Sequence, residues 1–267
     1  MPPPFDPLSL WAVLRIQDSF FAAPCDNVQS ILALTEITPI PNLPHYMRGL
    51  INHQGQPVCL IDLRKRLGIP SLKSEIDEFT DLMDAREQDH IHWLNTLQAC
   101  INEGKRFTLA TDPRQCKFGQ WYYKTLPEIK DGVLKAILEN FEKPHNSIHN
   151  LAVQVEKLVA ENLTEEACQL IASKKNHELR RMIDLFSDAK KIYRSHHQEI
   201  AVILKNQRLF GLIVDEVVNI SNLSWAHWQA IEEMMSSDEK SHLILGMAET
   251  LEQQAPVAIL NLSQVSA

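Results

Sequence analysis

One repeat, split by a change of period, constrains this chain more than any other feature. The runs Phe21–Ile31 and Phe210–Ile220 carry Phe, Asp, Val and Ile at the same offsets. A second pair, Pro57–Leu63 and Pro256–Leu262, follows in the same order, each downstream of a glycine, Gly49 in one copy and Gly246 in the other. Chance similarity of two apolar strands accounts for either match alone. Two matches in one order indicate a duplicated β unit.

Between the copies the periodicity changes. The pattern is strand-like to about residue 70, helical to roughly 192, and strand-like again to the end. Short strands at close spacing suit small barrels, which remove adhesive sheet edges by closing. The expected fold class is therefore α+β, a duplicated small β-barrel domain (residues 9–70 and 196–265) interrupted by an all-α helical bundle over 74–192.

Charge and composition narrow the function classes. A formal charge of −8 with no extended Lys/Arg run makes nucleic acid a poor partner. The short basic stretches at 64–66, 174–175, 180–181 and 190–191 read as solvated helix faces. No apolar run approaches the roughly 18 to 20 residues that span a bilayer, so membrane insertion is not expected. Met1-Pro2-Pro3-Pro4-Phe5-Asp6 lacks the basic start and apolar core of a secretion signal, which points to the cytoplasm. The five cysteines are odd in number, widely spaced and without a CxxC pair, so free or metal-bound thiols are expected rather than disulfides. Cys25 and Cys59, in apolar runs, read as buried small hydrophobes.

The helical segment carries the residues with chemistry. His90, Trp93, Leu94, Leu97 and Ile101 share one helical face, whereas His92 lies about 200° around the helix and points outward. Asp112-Pro113 reads as a helix start, which would place Cys116 in the first turn, where unpaired amides and the helix dipole favour a thiolate. Lys143-Pro144 is a second such start, and His145 and His149 follow at i, i+4, projecting from one face. Taken singly, each is more readily a packed core histidine or an inert cysteine. Together, three inward histidines and one cysteine on neighbouring helices offer nitrogen and sulfur donors in fours, the set that suits tetrahedral Zn2+. His177, His196 and His197 read as surface residues. Four protein ligands leave no position for water or substrate. The chain also lacks a Gly-rich phosphate loop, an HExxH pair and a nucleophile elbow, so it reads as no enzyme.

Two resemblances rest on these segments. Glu36–Pro44, then Arg48-Gly49-Leu50-Ile51-Asn52, then Ile61–Gly68 resemble the first half of a CheW-type chemotaxis coupling domain, and Phe210–Val217 with Leu260-Asn261-Leu262 resemble its second half more loosely. That resemblance implies two five-stranded barrels bridging chemoreceptors to a CheA-type histidine kinase, with Arg48, Asn52 and Gln54 in a partner-contact loop. The family pattern Ile-Asn-x-Arg-Gly contributes an arginine to receptor contact; here Gln54 stands in its place, and a neutral amide cannot make that charge-assisted contact. The order His90…Trp93, Cys116-x-Phe118-Gly119-x-Trp121, His145-x-x-x-His149 resembles the chemoreceptor zinc-binding (CZB) domain, whose zinc ligands carry over onto His90, Cys116, His145 and His149.

The resemblance implies a cytoplasmic adaptor recruited to receptor arrays, sensing zinc or hypochlorous acid with Cys116 as redox switch, and pairing of two copies through the bundle. A constitutive scaffold with purely structural zinc is the alternative, and a metal-dependent enzyme or zinc buffer the more remote one.

Overall fold

The computed structural model describes residues 5–6, 8–34, 36–231, 242–251 and 254–267. The Met1–Pro4 start, on which the absence of a secretion signal was read, lies outside them. The chain divides into two compact units, one of Met1–Glu75 with His197–Ala267 and one of Ile76–His196.

In the first unit, strands β1 (Trp11–Ile16), β2 (Ser19–Pro24), β3 (Val28–Ala33), β4 (Met47–His53) and β5 (Gln56–Asp62) lead into the short helix α1 (Leu63–Arg66). The later part repeats the plan with β6 (Ile200–Lys205), β7 (Leu209–Val214), β8 (Glu216–Ser221), β9 (Leu223–Ala230), β10 (Ile244–Thr250), β11 (Pro256–Leu260) and a closing short helix, α8 (Leu262–Val265). The strands form two sheets, β8-β1-β2-β11-β10-β9 and β3-β6-β7-β5-β4. Each sheet takes one hairpin from one half of the repeat, β1–β2 or β6–β7, and its remaining strands from the other: β8 to β11 in the six-stranded sheet, β3 to β5 in the five-stranded one. The two parallel pairings, β11 with β2 and β5 with β7, join those parts. Neither half could therefore close its own sheet alone.

Alternation along the strands explains the packing. Leu14 and Ile16 face a core shared with Ile61, Val202 and Leu212, while Trp11 and Val13 face a second core with Leu223, Val257 and Ile259. The other sheet encloses its own core around Ile51, Val58, Leu60 and Ile203. Each sheet thus buries both faces, as a small barrel interior and an inter-sheet layer require.

The glycines that mark the repeat have a common reason. Gly49 and Gly246 each sit at a register shift in a strand pair. A side chain at Gly49 would lie 2.3 Å from the Thr38 carbonyl oxygen, and one at Gly246 would lie 2.4 Å from that of Gln229. The equivalent residues Asp62 and Asn261 cap the two short helices, accepting from Lys65 N and Gln264 N.

The basic stretch at 64–66 corrects one expectation. Arg64 is buried rather than solvated, because its guanidinium pairs with both oxygens of Asp215 at 2.7 Å and with Glu75. Those partners are 151 and 11 residues away, beyond any local pattern. Cys25 and Cys59 are half-buried, not fully enclosed.

The second unit is a helical bundle of α2 (Leu72–Asn102, counted from residue 76), α3 (Lys117–Thr125), α4 (Gly132–Glu139), α5 (Glu142–Ala160), α6 (Thr164–Lys174) and α7 (Arg180–His196), with one π-helical turn, Lys175–Leu179, between the last two. α2 runs long because no Gly or Pro interrupts it, and the chain turns at Gly104, whose positive φ of 63° suits the position after a helix end. Leu94, Leu97, Ile148, Leu151, Met182 and Phe186 fill one core.

Candidate metal centre

α2, the start of α3 and α5 bring His90, Cys116, His145 and His149 together. One ligand atom from each lies within 4.8 Å of the others. The sulfur of Cys116 is 3.2 Å from Nε2 of His145. All three histidines are buried and their rings meet edge to face at 4.8–5.8 Å between centroids. His92, two residues from His90, is exposed, as its place around the helix requires.

The local structure fixes each ring. Nδ1 of His90 lies 2.6 Å from the Arg86 carbonyl, one turn back on α2, and as a donor to it leaves Nε2 with a free lone pair. Nδ1 of His149 lies 3.2 Å from the Ala110 carbonyl, which also accepts from Nε1 of Trp93 at 2.8 Å. In each of the three rings one nitrogen is buried without a hydrogen-bond partner: Nε2 of His90, Nε2 of His149 and Nδ1 of His145. Buried polar atoms are nearly always paired, so unpartnered imidazole nitrogens on His90 and His149, in a cluster where Nε2 of His145 already meets the Cys116 sulfur, fit a bound cation.

Cys116 differs from expectation in one respect. Helix α3 starts at Lys117, and Cys116 itself is the capping residue, its sulfur accepting from the Gly119 amide at 3.1 Å. Asp112 instead closes a turn by accepting from the Arg114 amide, because the chain between them does not yet adopt helical geometry. The close passage of residues 113–119 depends on Gly119, where a side chain would sit 1.8 Å from the Pro113 carbonyl oxygen.

The electrostatics favour the ligand forms of the rings and oppose that of the sulfur. Burial, then the other histidines, hold His145 at about 2; burial, then His90, hold His149 at about 4; and burial lowers His90. The rings are therefore neutral, as metal ligands must be. Burial also pushes the Cys116 thiol up, outweighing the lowering by the amides of Gly119 and Phe118. The helix start does not make a thiolate here by itself; an adjacent cation would. Phe118 and Phe186 pack against the cluster and keep its surroundings apolar. The residues present thus fit a tetrahedral zinc, whose bonds of about 2.0–2.3 Å need only small side-chain adjustments from this spread.

The residues of the β4–β5 hairpin lie elsewhere. Arg48 is not free: it pairs with Asp62 at 3.1 Å and in bidentate fashion with Glu199 at 2.8 and 3.2 Å. Asn52 accepts from the Gly55 amide, closing the turn, and Gln54 is exposed at its tip with φ of 52°. The carbonyls of Arg86 and Ala110, which orient two rings, had no signal in the sequence, since any residue supplies a carbonyl.

Fold and cluster together define a two-sheet β domain interrupted by a helical bundle with a four-residue candidate metal centre. Residues 11–90 match the family model of the CheW-like domain, and residues 90–156 match that of the chemoreceptor zinc-binding domain. The chain is thus a CheW-like protein carrying a chemoreceptor zinc-binding domain. It is 33% identical over 55 residues to the chemotaxis protein CheW of Thermotoga maritima, a match covering 21% of this chain and about a third (36%) of that relative. A solved structure, the scaffolding protein TtCheW from Thermoanaerobacter tengcongensis, aligns with a TM-score of 0.42 at 13% identity, over 98% of this chain and 86% of that one. Among the described residues no helix is long and apolar enough to cross a membrane.

Proposed function

We propose that this protein is a non-catalytic cytoplasmic adaptor that couples chemoreceptors to a CheA-type histidine kinase, recruited to receptor arrays, with His90, Cys116, His145 and His149 holding a zinc ion that tunes the coupling. The observation that carries the reading is the place of the cluster in the chain: the bundle leaves the β unit after β5 and α1 and returns at β6, and both strands belong to the five-stranded sheet. A family match to the CheW-like domain on one side and to the zinc-binding domain on the other supports it.

When bound, zinc would supply the positive charge that favours a thiolate at Cys116, held by His90 on α2, Cys116 at the start of α3, and His145 and His149 on α5. The chain's residues do the rest. The Arg86 and Ala110 carbonyls orient His90 and His149, Gly119 holds the sulfur, and the phenylalanines exclude water. A thiolate at Cys116 is also the group that hypochlorous acid attacks: sulfur takes up the hydroxyl to become a sulfenic acid, chloride leaves, and one ligand is lost. Gln54, at the hairpin tip, removes the cation expected there for receptor contact, so the receptor face of this adaptor relies on other residues.

The test measures binding of a CheA-type kinase to the zinc-loaded and zinc-free protein, and again after stoichiometric hypochlorous acid. A zinc-dependent affinity that Cys116→Ser abolishes is the expected result. Binding equal in all states would favour the second reading, a constitutive scaffold, which the closed four-residue site also suits because structural zinc sites have no open position.

A further inference from the structure

The bundle contains a second cavity that the metal centre does not use. It measures about 700 Å3 and lies between the end of α2, the segment 104–111 and α5, with Ile101, Phe107, Leu109, Val155 and Val159 among its apolar lining. That volume lies within the range of about 300–1,000 Å3 typical of small-molecule sites. Three charged residues line it, Lys105, Arg106 and Glu156, giving a net positive balance. Lys105 is paired with Glu103 at 2.6 Å, whereas Arg106 has no ion-pair partner among those described and is exposed. A half-open pocket that sets these apolar side chains beside an exposed guanidinium has the chemistry of an amphipathic anion site, the tail against the apolar part and the carboxylate on arginine.

The same segment is tied to the cluster. Phe107 packs edge-on against Trp93 at 4.9 Å, Trp93 packs against His149 at 5.2 Å, and the Ala110 carbonyl accepts from Trp93 and faces Nδ1 of His149. A molecule that spreads or orders residues 104–111 therefore bears on the carbonyl that orients one ring of the cluster.

We propose that this cavity binds a small amphipathic carboxylate, and that its occupancy is linked through Phe107, Trp93 and Ala110 to metal affinity at His149. By linkage, an occupant that changes zinc affinity must have its own affinity changed by zinc by the same factor. The linkage rests on the metal reading above; the site itself does not.

Octanoate, octanol and octylamine titrated into the full chain by calorimetry separate these claims. In zinc-free protein, saturable binding of octanoate, tighter than that of octanol or octylamine, is expected. Arg106→Ala should weaken it roughly fivefold and Glu156→Gln should tighten it about twofold. Both substitutions are at the surface and leave the core intact. No saturable octanoate binding up to millimolar concentration, octylamine binding more tightly, or indifference to Arg106→Ala would overturn the site. Zinc-loaded protein, shown by metal analysis to hold one zinc, should bind octanoate with a dissociation constant changed at least threefold. An unchanged constant in that protein would overturn the linkage. A protein that takes up no zinc would count against the metal reading alone, since the zinc-free titration still decides the site.

Discussion

The amide of Gly119 donates to the sulfur of Cys116 at 3.1 Å, and Cys116 is the residue that caps α3. A helix start thereby becomes a ligand holder: the backbone aims the sulfur, and the sulfur satisfies one of the amides that every helix start leaves unpaired. Only glycine fits at 119, because any side chain would meet the Pro113 carbonyl oxygen.

Gly119→Ala should therefore displace the 113–116 turn and weaken zinc binding at least tenfold in competition with a chromophoric chelator. Gly132→Ala is the control, since open space surrounds that position. It should leave zinc binding unchanged and shift stability by no more than about 1 kcal/mol.

Acid should destabilise the zinc-free bundle. His145, His149 and His90 are held below their ordinary value in the folded state, by burial first, so the unfolded chain binds more protons below pH of about 6.5. Stability present at pH 7.5 is then lost as pH falls from about 6.5 toward 4. Thermal melts of chelator-treated protein between pH 5 and 8 should show the midpoint falling with acid, and His145→Gln should flatten the slope. A midpoint independent of pH would contradict the assignment.

The Arg64 clamp should be the costliest ion pair to break in the β unit. The Arg64 side chain is 5% exposed against 14% for Asp215, and without Asp215 its buried charge is left to the more exposed Glu75 alone. Asp215→Ala should cost about 3 kcal/mol or more in urea unfolding. Arg15→Ala, which breaks an exposed pair with Glu216, should cost at most about 1 kcal/mol.

How much of this was legible in the sequence follows from the range of each cause. The repeat was legible because its marks are local: Gly49 and Gly246 at two bulges, Asp62 and Asn261 at two helix caps. The inward face of α2 was legible from spacing alone, and so was the i, i+4 pair on α5. The exchange of strands between the halves was not, since hydrogen-bond partners leave no mark on either strand. Arg64 read as surface for the same reason, its partner Asp215 being far along the chain. Asp112-Pro113 carried a helix-start signal, but the close approach at Gly119 delays the helix to Lys117, so the cap fell to a cysteine that no capping preference would select. The cavity beneath residues 104–111 also left no trace, because a void is a property of packing.

The most direct test of the central claim is the zinc content of protein purified without added metal, for wild type and for the His145→Ala/His149→Ala variant. One zinc per chain in the wild type, lost in a variant that keeps its β unit folded, is the expected result. A folded wild type without zinc, or a variant that retains it, would contradict the account.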